Sequence, residues 1–285
     1  MKLTDSKGTT TLSNGVKMPY LGLGVYKAED GQEVVNAIHY ALDAGYRHID
    51  TATYYFNEEG VGKAIKESSV PREEIFIATK VWFSQQKYED TIRSFEESMK
   101  KLNLEYLDLF LIHWPHPDHY LDAWKAMEEL YLAGRIRAIG VCNCMEHHLQ
   151  SIIDLGGVPP MVNQMEFHPH LVQQNLLDFC VQNKIQYEAW SPLKRGGLFD
   201  DPVLKELAEK YNKNIAQIVI RWDLQKGVVT IPKSSKKERI ISNADIFDFE
   251  LSDEDIKRID ALDKNDRTGA HPDHFMEYFA NKGVK

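Results

Sequence analysis

H-I-D-T-A-T-Y-Y-F-N-E, residues 48–58, reads as the end of a strand, a short loop and the start of a helix. Residues 46–49 suit a buried strand, and Asp50 falls where that strand gives out. An ionised carboxylate is costly to bury without a partner. The chain offers partners in order: Tyr55 in the same loop, Lys80 closing I-F-I-A-T-K, and His113 closing L-D-L-F-L-I-H.

The strand–loop–helix pattern recurs. Short apolar runs occupy 21–24, 46–49, 75–79, 107–112, 136–141, 161–165, 185–189 and 228–231. Between them lie stretches with one apolar helical face, such as Tyr88, Ile92, Phe95, Met99 and Leu102. Such stripes pack on a sheet. Strands alternating with helices predict a parallel sheet, and eight units in this length favour a closed (β/α)8 barrel, the TIM-barrel architecture of the α/β class. One domain over 1–285 is expected, because no linker divides the chain. Asn14-Gly15 between two short extended pieces predicts an N-terminal hairpin. Extra segments are expected at 192–201 and in a small helix capped by Ser252. The aromatic stretch from Gly269 onward has no clean period and reads as a tail over the barrel mouth. An open dinucleotide-binding sheet would need G-x-G-x-x-G, and Leu21-Gly22-Leu23-Gly24 lacks the third glycine.

The chain has 285 residues, 43% hydrophobic, enough for a sizeable core. A formal net charge of -9 without a basic stripe argues against nucleic acid as a partner. No run of 18 apolar residues and no signal-like start is present, so neither a membrane span nor secretion is expected. Cys142, Cys144 and Cys180 cannot all pair, which points to free thiols in a reducing cytoplasm. A monomer is expected.

In a (β/α)8 barrel the active site lies at the carboxyl ends of the strands, where Asp50, Lys80 and His113 should converge with Tyr55. A free tyrosine has a pKa of about 10, and a neighbouring ammonium lowers it. Asp50 would hold Lys80, and His113 would hydrogen-bond a substrate oxygen or relay the proton. A phenol tuned toward neutrality can protonate an oxyanion as it forms. That suits carbonyl reduction, and because no side chain supplies hydride, a nicotinamide cofactor is required. Its phosphate would be sought at 229–239, where a strand leads to a helix N-terminus through Lys233, Ser234, Ser235 and Arg239.

The motifs G-Y-R-H-I-D-T-A-x-x-Y-x-N-E (45–58), A-T-K-V-W (78–82), L-I-H-W-P (111–115), N-Q-M-E-F-H-P (163–169) and I-P-K-S (231–234) together resemble the aldo-keto reductases. The likeness is to their small microbial branch of the prostaglandin F synthase and diketogluconate reductase type. It implies NADPH-dependent reduction of aldehydes and ketones, with Tyr55 as proton donor and Asp50, Lys80 and His113 beside it. The family spacing selects Tyr55 over Tyr54. The resemblance further implies Asn143 and Gln164 on the carboxamide, Trp190 stacked on the nicotinamide, and Ser191 and Leu193 along the pyrophosphate. Ile231 lies in the same cofactor-binding motif. Lys233 and Ser234, with Ser235 in the same loop, would take the 2′-phosphate of NADPH. Arg239 would lie on the phosphate or adenine, and Asn243 on adenine.

The chain departs from the pattern in three places. Cys142 replaces a serine that binds the carboxamide, and a thiol is a weaker donor. Tyr26 stands where relatives carry tryptophan. Lys194-Arg195 replaces a more neutral loop and could add a pyrophosphate contact. Tyr26, Trp82, Phe83, Trp114 and Phe275 are expected to wall an aromatic substrate pocket.

No metal is expected. His113, His116 and His119 recur every three residues, but prolines interrupt them, and His168 and His170 flank Pro169. His147-His148 is expected on a solvated helix face. A metal-dependent barrel hydrolase and a non-catalytic binding subunit are the rival readings.

Overall fold

The computed structural model describes residues 3–284. Of the expected 1–285 domain, residues 1, 2 and 285 lie outside the described residues. The hairpin pairs β1 (Thr9–Thr11) antiparallel with β2 (Lys17–Pro19). Leu12 N–H donates to Val16 O at 2.9 Å, and Gly15 N–H to Leu12 O at 2.9 Å. Gly15 has φ 89°, a conformation glycine adopts without penalty, which makes this a three-residue turn. Thr10 Oγ1 donates to Gln186 Oε1 at 3.0 Å, so the hairpin plugs the amino-terminal end of the sheet.

Eight parallel strands follow: β3 (Gly22–Gly24), β4 (His48–Asp50), β5 (Phe76–Val81), β6 (Leu107–Ile112), β7 (Ile136–Cys142), β8 (Val162–Glu166), β9 (Gln186–Trp190) and β10 (Val229–Thr230). Each pairs with the next. The first and last meet through parallel bridges Leu21↔Thr230 and Gly24↔Lys233, closing the (β/α)8 barrel. The approach at this seam is close. A Cβ on Gly24 would stand 2.9 Å from Ile231 O, which explains the glycines of L-G-L-G without any dinucleotide fingerprint.

Every expected run overlaps a strand; β6 matches 107–112 at both ends, and the others shift by one or two residues. The one expected at 46–49 begins two residues later, because Tyr46 N–H closes the preceding helix on Ala41 O at 2.9 Å. β5 continues one residue past Lys80. Both β5 and β6 are buried along their whole length, as strands between a packed barrel interior and a helical layer must be. Most helices on the outside bury one face, while Ile215–Gln225 is buried from Ile215 to Leu224. Tyr88–Leu102 sets Phe95 edge-on to Phe110 of β6 at 5.4 Å. Two helices, Pro202–Tyr211 and Ile215–Gln225, separate β9 from β10, and Asp253–Asp260 is a further addition.

The tail does lie over the barrel mouth, but it is ordered. A 3-10 turn Pro272–His274 leads into a helix Phe275–Ala280. That helix has six residues, too few for a period to show in sequence. Phe275 and Phe279 pack with Trp82, Phe83 and Trp114 in an aromatic cluster separate from the barrel core. Among the described residues, no helix is long and apolar enough to cross a membrane.

Candidate active site

Asp50 is the last residue of β4, Lys80 the penultimate residue of β5, and His113 follows β6 directly. The ladder pairs Asp50 with Ala78 and Lys80 with Leu111, so Lys80 and His113 each lie two residues beyond the partner of the group before, and the tilt of barrel strands brings the three side chains together. Tyr55 ends a 3-10 turn, Thr53–Tyr55, just beyond Asp50. Asn57 holds that turn: its Oδ1 accepts from Thr51 Oγ1 at 2.7 Å, and its Nδ2 donates to Val25 O and Ala28 O at 2.9 and 3.1 Å. Glu58 is buried and accepts from Thr79 Oγ1 at 2.7 Å, pinning the next helix to β5. The N-E of the motif is thus a brace for the loop.

Lys80 is fully buried and spends its ammonium on three acceptors. Nζ donates to Asp50 Oδ1 at 2.6 Å, Thr51 O at 2.9 Å and Tyr55 Oη at 3.3 Å. Burial alone would lower a lysine; Asp50 and Tyr55 outweigh it, and Lys80 is held above the usual lysine range. A lysine only donates, so Tyr55 accepts from it and keeps its own proton for another partner. Tyr54 turns away and stacks flat on Trp82, with ring centroids 4.0 Å apart. His113 sits edge-on to Tyr55 at 5.5 Å. Burial and then the Lys80 charge push it well below the usual histidine range, so it is neutral. Its Nδ1 is buried with no hydrogen-bond partner among the described residues.

The phenol corrects an expectation. Burial raises the Tyr55 pKa above the ordinary tyrosine value, and Lys80 only opposes that rise. Part of the ammonium's field is cancelled by Asp50. Tyr55 is therefore firmly protonated in the free protein.

These groups open into a cavity of about 330 Å³. Tyr26, Tyr54, Tyr55, Trp82, His113 and Trp114 line one part; Asn143, Gln164, Trp190, Ser191, Ile231 and Lys233 line another. Gln164 Nε2 donates to Asp50 Oδ2 at 2.9 Å and to Glu188 Oε2 at 2.8 Å. Asn143 Nδ2 donates to His113 O at 2.9 Å, and its Oδ1 accepts from Trp190 Nε1 at 2.9 Å. That bond sets the indole against the cavity wall, and Gly269 closes over it: a Cβ there would stand 2.6 Å from the ring. Glu166, at the end of β8, ties this segment down by accepting from Thr268 N, Thr268 Oγ1 and Gly269 N.

Other expected residues are not on the cavity wall. Cys142 is wholly buried at the end of β7, and burial pushes its thiol well up. Leu193 packs against the core. Ser234 bonds locally to Lys236 N at 3.1 Å, Ser235 turns to Glu33, Arg239 is exposed, and Asn243 is buried on the helix Lys237–Ala244. Phe83 and Phe275 form a second layer behind Trp82 and Trp114, at 4.7 and 5.5 Å. Tyr278 and Phe279 reach the cavity in their place. Lys194 does not face the cavity; its Nζ donates to Asp266 Oδ2 at 2.5 Å and meets His170 Nδ1 at 2.9 Å. Arg195 does line the cavity, with Lys27, Lys233 and Lys282.

The sequence pointed to a tail over the mouth from Gly269 onward, but did not mark Gly269, Ala270, Tyr278 or Phe279 within it as cavity residues. The histidines also part from the sequence reading. His148 is largely buried, its Nδ1 accepts from Met145 N at 3.2 Å, and both it and His147 face Asp273 of the tail. Those three are a group of the described residues whose ligand atoms come close together.

An eight-stranded parallel barrel with a buried ammonium–phenol pair at the carboxyl ends of its strands, under an aromatic cavity, has the architecture of a barrel enzyme. The chain belongs to the aldo/keto reductase family, whose model matches residues 20–264. It is 56% identical over 273 residues to glyoxal reductase of Bacillus subtilis (strain 168), covering 96% of this chain and 99% of that one. The structure of MGS-M4, an aldo-keto reductase enzyme from a Medee basin deep-sea metagenome library, superposes with a TM-score of 0.91. It shares 43% identity and covers 93% of this chain and 98% of its own. A mutant of Gox0644 in complex with NADPH gives a TM-score of 0.89 at 41% identity, covering 93% and 97%.

Proposed function

We infer that the protein reduces aldehydes and ketones to alcohols with NADPH, with Tyr55 as the proton donor. The observation that carries this reading is the bond from Lys80 Nζ to Tyr55 Oη, which leaves the phenolic proton free at the cavity wall. The cavity fits the cofactor. It offers an indole face at Trp190, the amide of Gln164, and the cations Arg195 and Lys233. Bound there, NADPH supplies hydride to the carbonyl carbon.

The protein's own groups handle the oxygen. Neutral His113 donates a hydrogen bond to the carbonyl oxygen and orients it. Tyr55 passes its proton to that oxygen as negative charge develops. Lys80 then stabilises the tyrosinate, and Asp50 holds Lys80 in place throughout. The Trp82 and Trp114 faces exclude water from the reacting carbon.

The glyoxal reductase relative favours small dicarbonyl aldehydes as the substrate class. We place the chain in the cytoplasm, acting as a monomeric single domain on a small-molecule carbonyl, without nucleic acid or membrane partners. Loss of NADPH absorbance on mixing with glyoxal, methylglyoxal and an aromatic aldehyde tests the reaction. No consumption across such a panel sinks it and favours a non-catalytic binding role. Light scattering on the purified chain tests the monomer.

A further inference from the structure

One interior group has no part in the proton transfer. Glu188 lies on β9, wholly buried, in register with Gln164 on β8. Adjacent parallel strands send registered side chains the same way, so both point into the barrel. The Gln164 amide nitrogen lies between two carboxyl groups, 2.9 Å from Asp50 Oδ2 and 2.8 Å from Glu188 Oε2. An amide nitrogen has two N–H groups, and here each has an acceptor. The amide oxygen is left to the cavity that Gln164 lines.

We propose that Glu188 is a positioning residue that fixes the orientation of the Gln164 amide, so that Gln164 presents only its oxygen, an acceptor, to the amide N–H of the nicotinamide carboxamide. This rests on the cofactor reading above. Asp50 alone would leave one Gln164 N–H unpaired in the barrel interior, and a buried unpaired donor is costly. A full flip would set the amide oxygen against Asp50 Oδ2, but with one anchor gone the amide can tilt about its remaining bond, and its oxygen is no longer held toward the cavity. Because Asp50 also holds Lys80, the same amide joins the cofactor's carboxamide site to the proton-donating pair.

Burial first, and then the Asp50 charge, push Glu188 up to about 8, so it carries its proton at neutral pH. Its other oxygen faces His48 Nε2 at 3.6 Å, and His48 is itself kept neutral by burial. Beside Gln164, Asp50 thus pairs with the Lys80 ammonium, and Glu188 bonds Gln164 without adding charge.

The test compares NADP+ with its 3-acetylpyridine analogue, in which a methyl replaces the carboxamide NH2. Affinities are measured by quenching of tryptophan fluorescence. Glu188→Met keeps the volume and removes the acceptor. It is expected to weaken NADP+ about tenfold and to leave the analogue within about twofold. Glu188→Gln retains an acceptor oxygen and is expected to bind NADP+ like the unaltered protein. Equal losses for both cofactors in Glu188→Met, or no loss for either, would overturn the proposal. Should Glu188→Met fail to fold, Glu188→Asp, one methylene short of Gln164, is expected to give the same selective loss. An unaltered protein that binds neither compound would instead refute the cofactor reading.

Discussion

Tyr55 and Tyr54 are neighbours of one chemical type, and only their surroundings separate them. The Tyr55 hydroxyl meets Lys80, while the Tyr54 ring lies on Trp82. Tyr55→Phe is therefore expected to lower turnover about a thousandfold, the scale of a lost general acid, with NADPH affinity changed by less than about twofold. Tyr54→Phe should stay within about threefold of the original rate. Turnover by NADPH absorbance and affinity by fluorescence check both; an active Tyr55→Phe would move the donor elsewhere. Glu188 gives a prediction in pH. Its pKa rises from an ordinary 4.5 to about 8 on folding. Below pH 4.5 both folded and unfolded chains hold the proton, and nothing is lost. Between there and about 8 the unfolded chain ionises while the folded one keeps its proton, so stability falls as pH rises. Glu188→Gln has no such proton. Its melting temperature minus that of the unaltered protein should grow across that window and level off above it. A difference that does not vary with pH would contradict the buried, protonated carboxyl.

Elements place these residues, and the terminal helix Phe275–Ala280 shows where placement escapes a sequence. Strand ends at Asp50, Lys80 and His113 could be read because each closes an apolar run. The tail has aromatics without a period, so its helix and the inward turn of Phe279 could not. Phe279 meets Trp82 and Trp114 edge-on at 5.2 and 5.4 Å and lines the cavity, which Phe275 does not. Phe279→Ala is expected to raise the KM for an aromatic aldehyde about tenfold, the effect of losing part of a buried aromatic contact. NADPH affinity should hold. Steady-state kinetics with one aldehyde suffices, and an unchanged KM would remove the tail from the substrate wall. The tail is also tied outside the cavity, where Asp273 Oδ1 lies 3.2 Å from His147 Nε2. That pair is exposed, and such pairs are worth at most about 1 kcal/mol. The aromatic packing therefore dominates.

At the scale of the molecule, the closing seam between β3 and β10 carries the geometry of everything above it. It is held by few bonds, among them Thr230 N–H to Tyr20 O at 3.0 Å and Gly24 N–H to Pro232 O at 3.4 Å. A Cβ on Gly24 would press on the Ile231 carbonyl, which cannot swing aside as a side chain can. Gly24→Ala should cost about 1–3 kcal/mol, the usual price of overpacking. Equilibrium unfolding in urea measures it. A neutral result would mean that the seam is looser than its distances imply.

The barrel and the four groups at its mouth were determined by the sequence alone. Apolar runs, helical stripes and the residue that ends each run are local properties, and the barrel rule converts strand ends into neighbours. The tertiary structure alone decided the raised pKa of Tyr55, the proton on Glu188, the orientation of Gln164 and the choice of Phe279 over Phe275. Each depends on burial and on charges contributed by segments far apart in the chain. Desolvation and electric field belong to the assembled interior, and no stretch of residues carries them by itself.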